Sequence, residues 1–264
     1  MDRYLILWLT GRVHTSWVVL VGAFTGLLGG LFGKGGSAIA SPLLALGGIH
    51  PYAALASPLP ATIPATLVAA LAYRRAGHVD TEVLRTTVIV GLPATVLGAL
   101  LSAAVGGATL LIVCDVIVAL LGVRILLRDR SPDRILVGGP TPEPEHSGPA
   151  RVVPVAITAG LISGLLANSG GFLLAPLFAT FLGLPIKRAL GTSLAAAAVL
   201  AVPGTIVHAA LGHVSWSIAV PFGLASIPLS ACGARLALGT DAGRLEVTYG
   251  VVLIVLGGGL LLVR

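Results

Sequence analysis

The chain has 264 residues, of which 56% are hydrophobic and only 10% charged, with a net charge of +6 and a mean hydropathy of +1.02. A soluble domain of this size needs a charged surface that this composition does not supply. The basic balance does not point to nucleic acid either, because only Lys34 and Lys187 are lysines and most arginines fall between apolar runs. That spread reads as a set of membrane-topology signals and not as a phosphate-binding face.

The apolar runs have the length needed to cross about 30 Å of hydrocarbon as helix, and the short alternating strands of an outer-membrane barrel are absent. In chain order the first half reads as Trp17–Phe32, Ser37–Leu46, Pro51–Tyr73, Leu84–Val105 and Ala108–Leu127. A polar linker follows at Arg128–Arg151, rich in proline and expected to lie outside the bilayer. The second half reads as Val153–Ala167, Phe172–Leu182, Ile186–Leu211, Ser215–Ala234 and Arg244–Val263. Residues 1–12 do not form a signal peptide, since the first long apolar run starts near Ser16. Cys114 and Cys232 sit inside apolar spans without metal-ligand spacing and read as buried thiols.

The chain matches itself. Gly26–Leu46 reads GLLGGLFGKGGSAIASPLLAL and Gly160–Thr180 reads GLISGLLANSGGFLLAPLFAT. At an offset of 134, Gly26, Gly30, Gly36 and Pro42 fall on Gly160, Gly164, Gly170 and Pro176. One residue later in register, Ala54-Leu55 falls on Ala189-Leu190 and Gly77-His78-Val79 on Gly212-His213-Val214. Matched prolines and a repeated Gly-His-Val at near-constant spacing point to an internal duplication. The expected organisation is a first transmembrane repeat at 1–127, a cytoplasmic linker at 128–151 and a second repeat at 152–264. Arginines in the linker, with Arg74, Arg75, Arg85, Lys187, Arg188, Arg235 and Arg244, place equivalent spans in opposite directions. Arg3 and Arg12 run against that assignment. The fold class is therefore an all-α polytopic membrane protein of two inverted-topology repeats. Each has a short broken or re-entrant helix pair followed by three spanning helices, about 8–10 membrane segments together.

The short pairs mark the candidate site. Gly33-Lys34-Gly35-Gly36-Ser37 joins the first pair and Ala167-Asn168-Ser169-Gly170-Gly171 the second. Interrupted helices expose backbone N–H groups and a partial positive charge, and glycine lets backbone approach a ligand closely, so the chemistry favours an anion. Lys34 adds a formal charge, or anchors the chain at the interface. Ser37, Asn168 and Ser169 add donors, and Ser57, Thr192 and Ser193 either line the site or cap the helices that follow. Asp115 lies inside LLIVCDVIVALL and is the candidate for proton coupling, or else a hydrogen-bonded structural acid. His208 lies opposite Tyr73 in the repeat register and reads as a packed polar side chain. His78 and His213 fall at loops that end a span. No metal site or cofactor is read, since His78-Val79-Asp80-Thr81-Glu82 has nothing converging on it.

With these residues in view, the chain resembles the sulfite exporter TauE/SafE family. The likeness rests on GLLGGLFGKGGSAIASPLLAL, on ALASP and ALGTS, and on the glycine-His-Val turn after the third element of each half; it runs from about Trp17 to Leu262. Where the family usually carries a run near GxGGG, this chain has GKGGS in the first loop and NSGG in the second. The resemblance implies a multi-pass transporter of the bacterial cytoplasmic membrane. Its substrate would be a small sulfur oxyanion, inorganic or organic: sulfite, thiosulfate or an organosulfonate. A passive anion channel is the nearest alternative. An intramembrane enzyme would want GxSxG, HExxH or two buried acids, and the sequence has none of these.

Overall fold

The computed structural model describes residues 2–32, 37–113, 116, 117, 120, 149–241, 243, 244, 248 and 251; side chains are described from Thr15 onward, apart from those of Ser37, Ala38, Pro149 and Phe172. The described chain is helical with no strand. Its helices are α1 (Asp2–Phe32), α2 (Ser37–Leu46), α3 (Pro51–Ala56), α4 (Leu59–Arg75), α5 (Thr81–Leu101), α6 (Pro149–Leu165), α7 (Gly171–Phe181), α8 (Ile186–Ala210) and α9 (Trp216–Gly239). Residues 107–113 are also helical. Five stretches are long and apolar enough to cross a membrane: Thr15–Phe32, Pro51–Arg75, Thr81–Ala104, Ile186–Ala210 and Trp216–Gly239. This is an all-α polytopic membrane protein. The expected last element of each half, Ala108–Leu127 and Arg244–Val263, lies mostly outside the described residues, as does the linker.

Glycines decide which helices touch. Lipid tails are as apolar as leucine, so helices in a bilayer associate through close packing of small residues and not through hydrophobic burial. Gly22, Gly26 and Gly30 on α1 press in turn against the backbone at Phe222, Ser226 and Ser230 on α9. A Cβ on Gly22 would stand 2.7 Å from the Phe222 carbonyl oxygen, and one on Gly30 would overlap that of Ser230. From the α9 side, a Cβ on Gly233 would overlap the Leu27 carbonyl. The pair α5 and α6 is built the same way. A Cβ on Gly160 would meet the Gly91 carbonyl at 2.7 Å, one on Gly164 would overlap that of Thr95, and one on Gly98 that of Leu161. The partners correspond by sequence offset, since 164 − 30 = 134 and 230 − 95 = 135.

The order of these contacts fixes helix direction. Contacts rise together along α1 and α9, and along α5 and α6, so both pairs are parallel. Gly223 beside Ala61, with Ser230 Oγ donating to the Ala65 carbonyl at 2.9 Å, makes α4 parallel to α9. Leu200 beside Gly91, and Gly204 beside Thr95, make α8 parallel to α5. Helices α4 and α8 are antiparallel, because Gly204 lies by Leu59 while Gly191 lies by Tyr73. So α1, α4 and α9 run one way, and α5, α6 and α8 the other.

This arrangement collects charge at one end. The ends of α4 and α9 and the starts of α5, α6 and α8 bring Arg74, Arg75, Arg85, Arg151, Lys187, Arg188 and Arg235 to the same end, with Arg244 just beyond α9. These are all the lysines and arginines whose side chains are described. Arg3 and Arg12, at the start of α1, fall toward the opposite end, outside the described side chains. The stretch read as one element over Pro51–Tyr73 is divided into α3 and α4 at Ser57-Pro58, where proline cannot donate to the ladder. Cys232 is exposed, not buried as its apolar span suggested: Ser230 and Gly233 take the inward face of α9, which turns Cys232 toward lipid.

Replacing Gly30 or Gly164 by alanine forces two backbones apart and is expected to cost about 1–3 kcal/mol, the usual penalty of overpacking. Gly239→Ala, at a position with open space around its Cβ, serves as the control. Thermal unfolding in detergent should fall for the first two variants and stay unchanged for the third.

Candidate functional site

Among the described residues, those singled out in the sequence do not converge on one point. Gly33, Lys34, Gly35 and Gly36 lie outside the described residues, and Ser37 opens α2 with its side chain undescribed. Asp115 is also outside them. The equivalent second-half loop is described. After α6, Ala167 adopts a left-handed φ of 50°, the Ala167 and Asn168 amides donate back to the Gly164 and Ser163 carbonyls, and Gly170 turns at φ 80°. A side chain at Gly170 would meet Ser163 Oγ at 2.5 Å, so glycine is required there both by conformation and by space. The turn buries Asn168 and Ser169, at 1% and 0% exposure, directly before the N-terminus of α7. Two buried polar side chains thus stand next to the N-terminus of α7, whose Leu173 and Leu174 amides donate to the Gly170 carbonyl.

Ser57, Thr192 and Ser193 do not cap the helices they were read as opening; Pro58 and Pro185 occupy those cap positions. Ser57 Oγ accepts the Ser215 amide at 3.0 Å, and Thr192 Oγ1 accepts the Asp80 amide at 2.9 Å. Each is a tether from a helix of one half to the loop before a helix of the other, at matching offsets (57 + 135 = 192 and 80 + 135 = 215). The Asp80 carboxylate in turn caps α5 by accepting from the Glu82 and Val83 amides. Ser193 Oγ donates to the Leu190 carbonyl within α8. Between Gly191, by Tyr73, and Gly204, by Leu59, α8 rises about 20 Å. Thr192 therefore lies toward the cationic end and Ser57 toward the other.

Two polar side chains secure the ends of the broken segments. Tyr73 OH reaches the Leu31 carbonyl at 3.5 Å, and His208 Nε2 donates to the Gly164 carbonyl at 2.8 Å. Both are buried, and 73 + 135 = 208. The packed role read for His208 holds, but the sequence reading missed what it packs against. Gly212, at φ 71°, ends α8 in a tight turn whose His213 amide donates to the His208 carbonyl. That turn brings the two imidazoles together, Nδ1 to Nδ1 at 3.1 Å, and lays His213 on the Tyr52 ring at 4.2 Å and 12°. The signal was present as two histidines five residues apart across a glycine-marked helix end. In the first half Gly77, at φ 74°, makes the same turn, but its His78 faces Lys187 and Arg188.

Burial, and then the neighbouring charges of Lys187 and Arg188, hold the His78 imidazole below its ordinary range. A group whose folded pKa is depressed is neutral in the fold while the unfolded chain already binds protons, so stability present at neutral pH is lost as pH falls below about 6.5. Thermal unfolding at pH 7.5 and pH 5 should show this loss, and His78→Gln should reduce it. Thr192→Val leaves the Asp80 amide without its acceptor and should cost about 1–3 kcal/mol at either pH.

Comparison with known proteins now adds the family. The family model described as Sulfite exporter TauE/SafE matches residues 18–260. A protein of Xylella fastidiosa (strain Temecula1) named "Probable membrane transporter protein" is 30% identical over 255 residues, covering 90% of this chain and 92% of that protein. Its counterpart in strain 9a5c is 31% identical over 254 residues with the same coverage. "Probable membrane transporter protein YjnA" of Bacillus subtilis is 25% identical over 234 residues, covering 83% of this chain and 89% of its own length. No solved structure gives a significant match. With the match running through nearly all of the described bundle, the chain belongs to the sulfite exporter TauE/SafE family of membrane transporters.

Proposed function

We propose that this membrane transporter is a secondary carrier that moves a small sulfur oxyanion, such as sulfite, thiosulfate or an organosulfonate, across the bacterial cytoplasmic membrane by alternating access. The observation that carries the reading is the buried turn Asn168-Ser169-Gly170-Gly171 at the start of α7, in a chain whose family is described as sulfite exporters. Such a turn offers amide, hydroxyl and helix N-terminal donors with no described carboxylate nearby, which suits a compact oxyanion. The equivalent loop Gly33-Lys34-Gly35-Gly36-Ser37, mostly outside the described residues, is the second candidate in this reading, and Lys34 is its formal positive charge.

In this proposal residues 1–127 and 152–264 are inverted repeats joined by the linker 128–151. The offset-matched glycine contacts, the reciprocal tethers at Ser57 and Thr192 and the opposite directions of α1 and α6, α4 and α8, and α5 and α9 all support that relation. Inverted halves can exchange conformations, and the exchange opens the site first to one side and then to the other. The cationic end then faces the cytoplasm, following the positive-inside rule. The α6–α7 turn lies toward the outer end, beside His208.

Purified protein in liposomes should show saturable flux of at least one of sulfite, thiosulfate, sulfate and a small organosulfonate. Counterflow of the same anion marks a carrier; flux without counterflow would indicate a channel, and no flux from folded protein would overturn the substrate class. Asn168→Ala and Lys34→Ala should each weaken the apparent affinity about tenfold or more, the scale of a lost hydrogen bond to a charged ligand.

A further inference from the structure

The outer end of the bundle holds a titratable cluster that the anion site does not use. His208 is buried at 1% exposure, with Nε2 on the Gly164 carbonyl and Nδ1 on His213. A carbonyl only accepts, so Nε2 of His208 carries the hydrogen, and its Nδ1 in the neutral ring is a lone pair. His213 must then donate from Nδ1, which leaves its own Nε2 as the free acceptor. One proton can be added at His213 Nε2 without disturbing any of these bonds. A second would set an N–H on His208 Nδ1 against the N–H of His213. The geometry therefore fits a hydrogen-bonded pair that takes up a single proton, on His213 Nε2.

The surroundings suit that charge. His213 lies flat on Tyr52, whose ring face stabilises an imidazolium, and Tyr52 OH is fixed by donation to the Val105 carbonyl at 2.5 Å. His50 is also stacked on Tyr52, with ring centroids 6.3 Å apart. Helix α6 contributes only the Gly164 carbonyl, and Ser215, Trp216 and Ser217 follow at the start of α9. The carboxylates, lysines and arginines whose side chains are described belong to the opposite end of the bundle; Asp2, Arg3, Arg12 and His14 lie on the first half of α1, at the same end as the pair, outside the described side chains. Burial holds His213 below the ordinary imidazole range.

The pair is joined directly to the anion turn. Gly164, which receives His208, also accepts the Ala167 amide that leads into Asn168 and Ser169. We infer that the His208–His213 pair binds one proton next to the anion turn and couples the two, so that proton and anion are carried together in the same direction. This rests on the transporter reading above. Coupling of this kind is reciprocal: the proton tightens anion binding, and the anion raises the proton affinity of the pair.

The test uses the full-length protein in detergent with thiosulfate and ethanesulfonate, anions that stay fully ionised over the range used. Nitrogen NMR of histidine-labelled protein should show one proton bound by the pair between pH 7.5 and pH 4.5, appearing at His213 Nε2. Added thiosulfate should move that titration upward. The thiosulfate Kd should fall about tenfold from pH 7.5 to pH 5, within the usual range of coupling between sites, and His213→Gln should abolish the change. Tyr52→Leu, which keeps both histidines, should move the titration downward. Independent titration of the two rings, a titration unmoved by a bound anion, or wild-type pH dependence in His213→Gln would overturn the inference. If neither anion binds, the substrate class proposed above falls, and the proton stoichiometry read by NMR decides the pair by itself.

Discussion

Bare backbone at the helix crossings is the constraint on which the rest of the structure depends. Helix α1 lies on α9, and α5 on α6, at a separation that no side chain at Gly30, Gly98, Gly164 or Gly233 would permit. In water such a surface would be weak, because glycine buries almost nothing; in lipid, close approach is the main source of attraction between helices. The same crossings set helix direction, and direction sets everything else. It sends the described cationic side chains to one end of the bundle and leaves the other to His50, Tyr52, His208 and His213.

The tethers between the halves explain how a bundle of short and interrupted helices keeps its shape. Ser57 with Ser215, and Thr192 with Asp80, each use a hydroxyl on one helix to satisfy an amide at the start of another. Each lies near a helix break or a loop, where an amide would otherwise lack a partner away from water. Tyr73 and His208 act in the other direction, donating to carbonyls at the ends of α1 and α6. A tyrosine at one end and a histidine at the other makes the matched positions chemically unequal. At these matched positions only the histidine can change charge near neutral pH.

Family membership and the buried Asn168-Ser169 turn bear on different questions. The family says that the chain transports; the turn is where the proposed function places the anion, among buried Asn168 and Ser169. The turn needs Gly170 at positive φ and tolerates Ala167 there as well, a local strain held in place by burial and by the amide bonds back to Ser163 and Gly164.

Much of this was legible in the sequence because it depends on local pattern. Run length and low charge define spanning helices, and the paired short segments with their glycine-rich loops follow from spacing along the chain. The linkage of the third element to a Gly-His-Val turn is likewise local, since glycine at φ 71° and 74° marks the helix ends. Other features were decided only when the helices came together. Cys232 sits in a run as apolar as any other, yet helix phase against α1 and α4 turns it outward. Ser57 and Thr192 look alike from their positions, but antiparallel packing of α4 and α8 sends them to opposite ends. His208 and His213 become a pair through one turn's geometry, and Tyr52, more than 150 residues away in sequence, completes the cluster. Periodicity and composition report what each segment prefers; which side chains meet depends on helix phase and direction, and those are fixed by contacts between distant parts of the chain.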